Sequence, residues 1–269
     1  MKKVLLLDID GTLTNDEKVI PAKTKEVLIK AQQQGAVLVL ASGRTTSGLM
    51  ALAEELDMKE HHGLLVSYNG SKVVDCETME VLFDETMSVE EVKAVLHHLK
   101  KFDVQPMIDH DDYMFLNDAY GYMAQYEVRG GNFLACEIRD METFIDFPVN
   151  KILICGQPEY LQAHSEEIKE PFEDTLNGMF TAPFYFEFTA KGIDKAKAIK
   201  DVLESRGYQK EDMIAFGDSH NDISMLSYAG TSVAMGNAVE EVKELADMVT
   251  LSNNEDGIAI ALQQLDPTL

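Results

Sequence analysis

The sequence predicts an α/β protein in which a doubly wound parallel sheet is interrupted by an inserted α+β segment. Three observations carry this expectation. Short apolar runs alternate with helical periods at the start of the chain, the same rhythm resumes after about residue 190, and the stretch between them differs in composition. Val4 to Leu7 is an apolar run stopped by Asp10-Gly11, which reads as a buried strand and its turn. Pro21 opens a helix with Val27, Leu28 and Ala31 on one face, and Gly35 closes it. Ala36 to Ala41 reads as a second strand, Thr45 to Leu56 as a second helix and Leu64 to Val66 as a third strand.

This βαβαβ order calls for a Rossmann-like parallel sheet with right-handed crossovers. From Asp194 the pattern returns as a helix to Arg206, a strand from Met213 to Phe216 and a helix around Asn221 to Tyr228. A strand at Ser232 to Ala234, a helix from Val239 to Leu245, a strand at Met248-Val249 and a last helix from Gly257 follow. The middle, Leu82 to Phe188, holds 17 of the 21 aromatic residues and 21 acidic against 7 basic ones, so it needs a core of its own. Phe184, Phe186 and Phe188 alternate with Tyr185 and Glu187, as an antiparallel sheet with helices on one side requires, leaving Glu187 a solvated strand residue or a contact for substrate hydroxyls. Asp109-His110-Asp111-Asp112 reads as a polar turn between strands Val104 to Ile108 and Tyr113 to Leu116. The expected domains are thus residues 1–81 with 189–269, and an insert at 82–188.

Composition narrows the function. Asp plus Glu number 47 against 23 Lys plus Arg, a net charge of −24 that repels nucleic acid and anionic membrane surfaces. An anionic substrate must then be captured by a metal ion or a few placed cations. The three cysteines, Cys76, Cys136 and Cys155, lack zinc or disulfide spacing, and a reducing cytoplasm suits them. Lys2-Lys3 precede only four apolar residues, too few for a signal-peptide core.

Four motifs carry chemistry. In Asp8-Ile9-Asp10-Gly11-Thr12 the two carboxylates point to one side of a strand's carboxyl end, where open α/β sheets bind ligands, and a hard divalent cation such as Mg2+ would relieve their repulsion. The same residues would also serve simply to end a strand. Phe216-Gly217-Asp218-Ser219-His220-Asn221-Asp222 follows another apolar strand and brings Asp218 and Asp222 toward one cation, or caps a helix. Ser42-Gly43-Arg44 precedes a helix and offers a hydroxyl, backbone N–H groups and a cation to an anion, or forms a Ser-Gly turn. In Lys191-Gly192-Ile193-Asp194-Lys195, Asp194 caps a helix whose dipole opposes the charge of Lys195, a misfit that favours a functional role.

In this order the motifs resemble the haloacid dehalogenase (HAD) superfamily of phosphohydrolases, in particular its Cof-like branch with a large α+β cap between the second and third motifs. Met235-Gly236-Asn237-Ala238 and Glu255-Asp256-Gly257 extend the resemblance over essentially the whole chain. It implies Asp8 as nucleophile and Asp10 as general acid and then base. Ser42, Lys195 and Asn221 would hold the phosphoryl group with Ile9, Gly43 and Arg44. Asp8, Asp10 through its carbonyl, and Asp218 would bind Mg2+, with Ser219 and Asp222 completing the metal shell. Ser42 replaces a common Thr and Ala196 a common Gly, and neither change removes a catalytic group.

The implied activity is Mg2+-dependent hydrolysis of a small phosphate monoester, a sugar phosphate or a phosphorylated cofactor, through an aspartyl-phosphate. A phosphomutase and a non-catalytic Mg2+-dependent phospho-ligand binder are the alternatives, whereas receiver-type signalling domains have about half this length. The expected partner is the small molecule alone, with the protein a monomer or weak homo-oligomer and the insert setting substrate choice.

Overall fold

The computed structural model describes residues 3–269, so Met1 and Lys2, half of the N-terminal basic pair, lie outside the described residues. The chain divides into two compact units, residues up to Phe83 with Asp194–Leu269, and Asp84–Ile193. In the first, β1 (Val4–Leu7) is wholly buried and pairs in parallel with β2 (Val37–Ala41). Between them α1 (Ala22–Gln33) starts after Pro21 and buries Val27, Leu28 and Ala31. Thr45 ends the next turn and caps α2 (Thr46–Glu55), its hydroxyl accepting the Gly48 N–H at 3.2 Å. β3 (Leu64–Ser67) adds in parallel, and the chain then reverses into β4 (Lys72–Asp75), antiparallel to β3, and β5 (Val81–Asp84) at the edge.

The second unit opens with α3 (Val89–Leu99), whose start carries a reciprocal cap between Ser88 and Glu91. It continues through β6 (Gln105–His110), β7 (Tyr113–Leu116), α4 (Ala124–Gly130), β8 (Leu134–Glu137) and α5 (Met141–Phe144). β9 (Lys151–Cys155), α6 (Pro158–Lys169), β10 (Leu176–Ala182) and β11 (Tyr185–Ala190) complete it. The strand order is β10-β11-β9-β6-β7-β8, antiparallel except for β7 and β8.

Four local expectations change here. The β6–β7 turn is only Asp111-Asp112, because Asp109 and His110 still pair with Met114 and Tyr113. Phe186 and Phe188 join the core shared with α3 and α6, but Phe184 precedes β11, escapes its alternation and packs with Tyr185 on the opposite side. Helices are not confined to one side, since Ala124 and Val128 of α4 share that opposite core with Met107, Leu153 and Cys155. Glu187 is not solvated; it is 2% exposed, with its carboxylate 3.7 Å from the Lys151 ammonium. The pair is one strand apart on the face that bears Tyr185 and Cys155, where an unpaired charge would be costly.

Back in the first unit, α7 (Lys195–Ser205) is capped by Asp194, whose carboxylate accepts the Lys197 N–H at 2.9 Å. β12 (Met213–Gly217) inserts beside β1, followed by α8 (Ile223–Tyr228), β13 (Thr231–Ala234), α9 (Glu240–Leu245), β14 (Met248–Val249) and α10 (Gly257–Leu265). The sheet order β14-β13-β12-β1-β2-β3-β4-β5 makes β1 central and its first six strands parallel. Leu5 and Leu7 face a core built with α1, α2 and α10, while Val4 and Leu6 face one built with α7, α8 and α9. Helices cover both faces, as near-continuous apolar strands demand.

Candidate active site

The strand ends of this sheet gather the residues that the motifs singled out. Asp8 follows β1 and is 5% exposed. Lys195, at the start of α7 and 1% exposed, places its ammonium 2.6 Å from Asp8 Oδ1 and 2.7 Å from Asp222 Oδ1. Asp222 is fully buried, and its other oxygen accepts the N–H groups of Asp218 and Ser219, both at 3.0 Å. Thr12 donates its hydroxyl to Asp218 Oδ1 at 2.9 Å. Gly11 makes this approach possible: its φ is +91°, and a Cβ there would stand 2.5 Å from Asp218 Oδ2.

Asp10 belongs to a second group. Arg44 grips it with two hydrogen bonds, Nε to Oδ2 at 2.8 Å and Nη2 to Oδ1 at 2.7 Å, and Lys18 adds a third at 2.8 Å. A third group surrounds Ser42, which is 4% exposed. Its hydroxyl oxygen accepts the Arg44 N–H at 3.2 Å and its carbonyl accepts the Asn69 N–H at 2.9 Å. Asn221 donates to the Asn69 side chain at 3.2 Å, and Gly43 packs against the same amide. Beside Asn69, Gly70, at φ +102°, lets the backbone pass where a Cβ would collide with the Asp194 carbonyl.

The electrostatics follow from burial and neighbours. Burial, the Asp222 carboxylate and the Asp218 carboxylate push Asp8 well above the usual carboxylate range, against the pull of Lys195. Burial and Asp222 likewise push Asp218 up to about 6 despite the Thr12 hydroxyl. Burial alone would raise Asp10 as well, but the hydrogen bonds and charges of Arg44 and Lys18 outweigh it and hold that carboxyl below the usual range. Burial opposes the charge of Lys195, yet Asp8 and Asp222 raise its affinity for the proton. Asp8 and Asp10 are thus shifted in opposite directions, Asp8 by burial and like charge and Asp10 by its two cations.

Oxygens of Asp8, Asp218 and Asp222 all lie within 4.8 Å of one another. Two of these three carboxylates, Asp8 and Asp222, contact the Lys195 ammonium, and the surplus negative charge together with an all-oxygen donor set fits a hard divalent cation.

Each residue singled out in the sequence has a defined place. Ile9 is 0% exposed with its side chain in the core, so only its backbone is on offer, and its carbonyl already accepts the Thr14 N–H. Ser219 caps the turn that holds Asp222. Arg44 is occupied by Asp10. Thr12, Lys18 and Asn69 were not singled out; Thr12 stands inside the first motif, and Asn69-Gly70 is a turn signal directly after a buried strand.

The strand ends of the parallel α/β sheet thus bring an acidic cluster and a buried lysine together. The haloacid dehalogenase-like hydrolase family matches residues 5–262, and the chain belongs to that family. It is similar to a haloacid dehalogenase-like hydrolase from Bacteroides thetaiotaomicron, with a TM-score of 0.93 and 36% identity over 98% of this chain and 100% of that one. A sugar phosphatase of HAD subclass IIB matches with a TM-score of 0.81 and 28% identity, each chain being 98% covered. The 5-amino-6-(5-phospho-D-ribitylamino)uracil phosphatase YcsE of Bacillus subtilis is 29% identical over 97% of this chain and 94% of its own. The protein is thus an enzyme of the HAD phosphatase and phosphotransferase superfamily. Among the described residues no helix is long and apolar enough to cross a membrane.

Proposed function

We propose that the protein hydrolyses small phosphate monoesters in a Mg2+-dependent reaction through an aspartyl-phosphate on Asp8. The observation that carries this reading is the pairing of a buried Asp8, held at 2.6 Å by Lys195, with Asp10 two residues on and held by Arg44 and Lys18. Attack on phosphorus needs Asp8 ionised, which burial and Asp222 oppose, so the Lys195 ammonium and a bound cation would hold it as the carboxylate, with one oxygen on Lys195 and the other turned for in-line attack. The bond from Asp8 to phosphorus forms as the ester P–O bond breaks, and Asp10 donates its proton to the departing alcohol. Asp10 then takes a proton from the water that cleaves the acyl-phosphate. The ionised, Arg44-bound carboxylate is already the base of this second step, whereas the first requires Asp10 to gain a proton and loosen from Arg44.

The Ser42 hydroxyl hydrogen, the Lys195 ammonium and the Asn221 amide are donors for the phosphoryl oxygens. Asp8, Asp218 and the Asp10 carbonyl would hold Mg2+, with Asp222 and Ser219 behind them, and the ion would offset charge on the phosphoryl oxygens. The substrate proposed is a sugar phosphate, in keeping with the sugar phosphatase, or a phosphorylated cofactor or precursor, in keeping with YcsE. Residues 82–188 are proposed to choose the leaving group, since the motif residues assigned to phosphoryl transfer all lie outside them. The test is release of phosphate from an aryl phosphate and a panel of sugar phosphates with Mg2+ and with excess chelator. Mg2+-dependent release supports the reading, full activity in chelator contradicts it, and transfer to a second hydroxyl in product analysis would make the enzyme a mutase.

A further inference from the structure

We infer that Asn237 is a positioning residue that, with Asn253, braces the turn carrying Asp10 against Asp218; its catalytic part rests on the functional reading above. Asn237 lies in the loop after β13, and its amide works at both ends. Nδ2 donates to the Gly11 carbonyl at 2.8 Å, and Oδ1 accepts the Asn253 N–H at 3.0 Å. Asn253 is 3% exposed and donates from its own Nδ2 to the Thr14 carbonyl at 3.0 Å. One relay of two amides therefore holds the turn at Gly11 and again at Thr14.

The opposite side of the turn rests on Asp218, through the Thr12 hydroxyl and the close approach of Gly11. The loop that bears Asn237 also grips the strand end that bears Asp218: Met235 N–H donates to the Gly217 carbonyl and Val239 N–H to the Asp218 carbonyl, both at 3.0 Å. The loop is itself fixed, with Gly236 N–H on the Leu251 carbonyl at 3.0 Å and only 2.8 Å between a Cβ at Gly236 and the Ser252 nitrogen. Asn237 thus ties the Asp10 turn and the Asp218 strand end to one frame. Its side chain is exposed, so water can replace the lost bonds and the fold should tolerate its removal. Catalysis should not, because a shift of about 1 Å in a reacting group costs roughly 100-fold in rate.

The experiment compares wild type, Asn237→Ala, Asn237→Asp and Asp8→Asn as full-length proteins. Amide hydrogen exchange reads the brace without activity: exchange across residues 9–16 should rise about tenfold in Asn237→Ala while α1 is unchanged. With an aryl phosphate and Mg2+, kcat should fall by roughly 10- to 100-fold with KM within about threefold and melting temperature nearly unchanged. Asn237→Asp keeps the acceptor for Asn253 but turns an oxygen toward the Gly11 carbonyl, so it should do no better than Ala. Unchanged exchange overturns the brace, and faster exchange with normal kcat, or a lower melting temperature alone, overturns its role in positioning. If wild type shows no more phosphatase activity than Asp8→Asn, the functional reading fails and the catalytic part of this inference with it, while exchange still decides the brace.

Discussion

Replacing Lys195 by Met removes one charge while keeping a long buried side chain, and the structure sets what should follow. The ammonium is wholly buried between Asp8 and Asp222, at 2.6 and 2.7 Å, so its loss leaves two buried carboxylates without their cation. Breaking a buried ion pair in this way costs about 3–5 kcal/mol. The sign of the pH dependence follows from the groups left behind. Lys195 gains proton affinity in the folded protein, so its own contribution is fully present throughout pH 5–8 and is lost only in strongly alkaline solution. Asp8 is already biased toward its protonated form by burial and Asp222, and without Lys195 it should take up a proton more readily still. The stability loss should therefore lie near the top of the range at pH 8 and shrink at pH 5. Urea denaturation of both proteins in chelator at the two pH values measures it, beside kcat, which should fall by about 1,000-fold or more at either pH. A loss below about 1 kcal/mol at both pH values would refute the view that this lysine neutralises a buried carboxylate pair.

Three further outcomes are expected. Asp218 is pushed up to about 6, so between the usual carboxylate value and that pH the folded state holds a proton the unfolded state has released, and stability from this group falls as pH rises. Asp218→Asn should accordingly gain in melting temperature relative to metal-free wild type on going from pH 5 to 7, and Mg2+ should raise only the wild type; a pH-independent difference would contradict the assignment. Asp10→Asn should accumulate phosphoenzyme from a good leaving group such as an aryl phenol while losing turnover by about 100-fold or more, read by rapid acid quench, whereas wild-type turnover would contradict its acid/base role. Exchanging residues 82–188 for the corresponding segment of a relative should change the preferred phosphate ester while aryl-phosphate hydrolysis survives; unchanged preference in a folded chimera would contradict the insert's role.

The sheet was legible in the sequence because strands buried on both faces have to be apolar throughout, and β1, β2, β3 and β12 announce themselves that way. Asp8, Asp10, Asp218 and Lys195 were legible because each interrupts an apolar run or opposes a helix dipole. Their partners were not. Lys18 reaches Asp10 from a position with φ of +62°, and the Asn237–Asn253 relay joins loops more than two hundred residues from the turn it holds, relations that no local period encodes. Glu187 shows the converse. Alternation put it on the correct side of β11, but its burial depends on Lys151 from β9, so a strand read alone misassigned it to solvent.

The most direct test of the account is to locate the phosphorylated residue. Wild-type protein and Asp10→Asn would be mixed with an aryl phosphate and Mg2+, quenched in acid within a turnover and digested for mass spectrometry, with Asp8→Asn carried through as control. Phosphate is expected on the peptide Val4–Leu13 at Asp8 in the first two proteins and nowhere in the third. Phosphate on another residue, or brisk hydrolysis by Asp8→Asn, would contradict it.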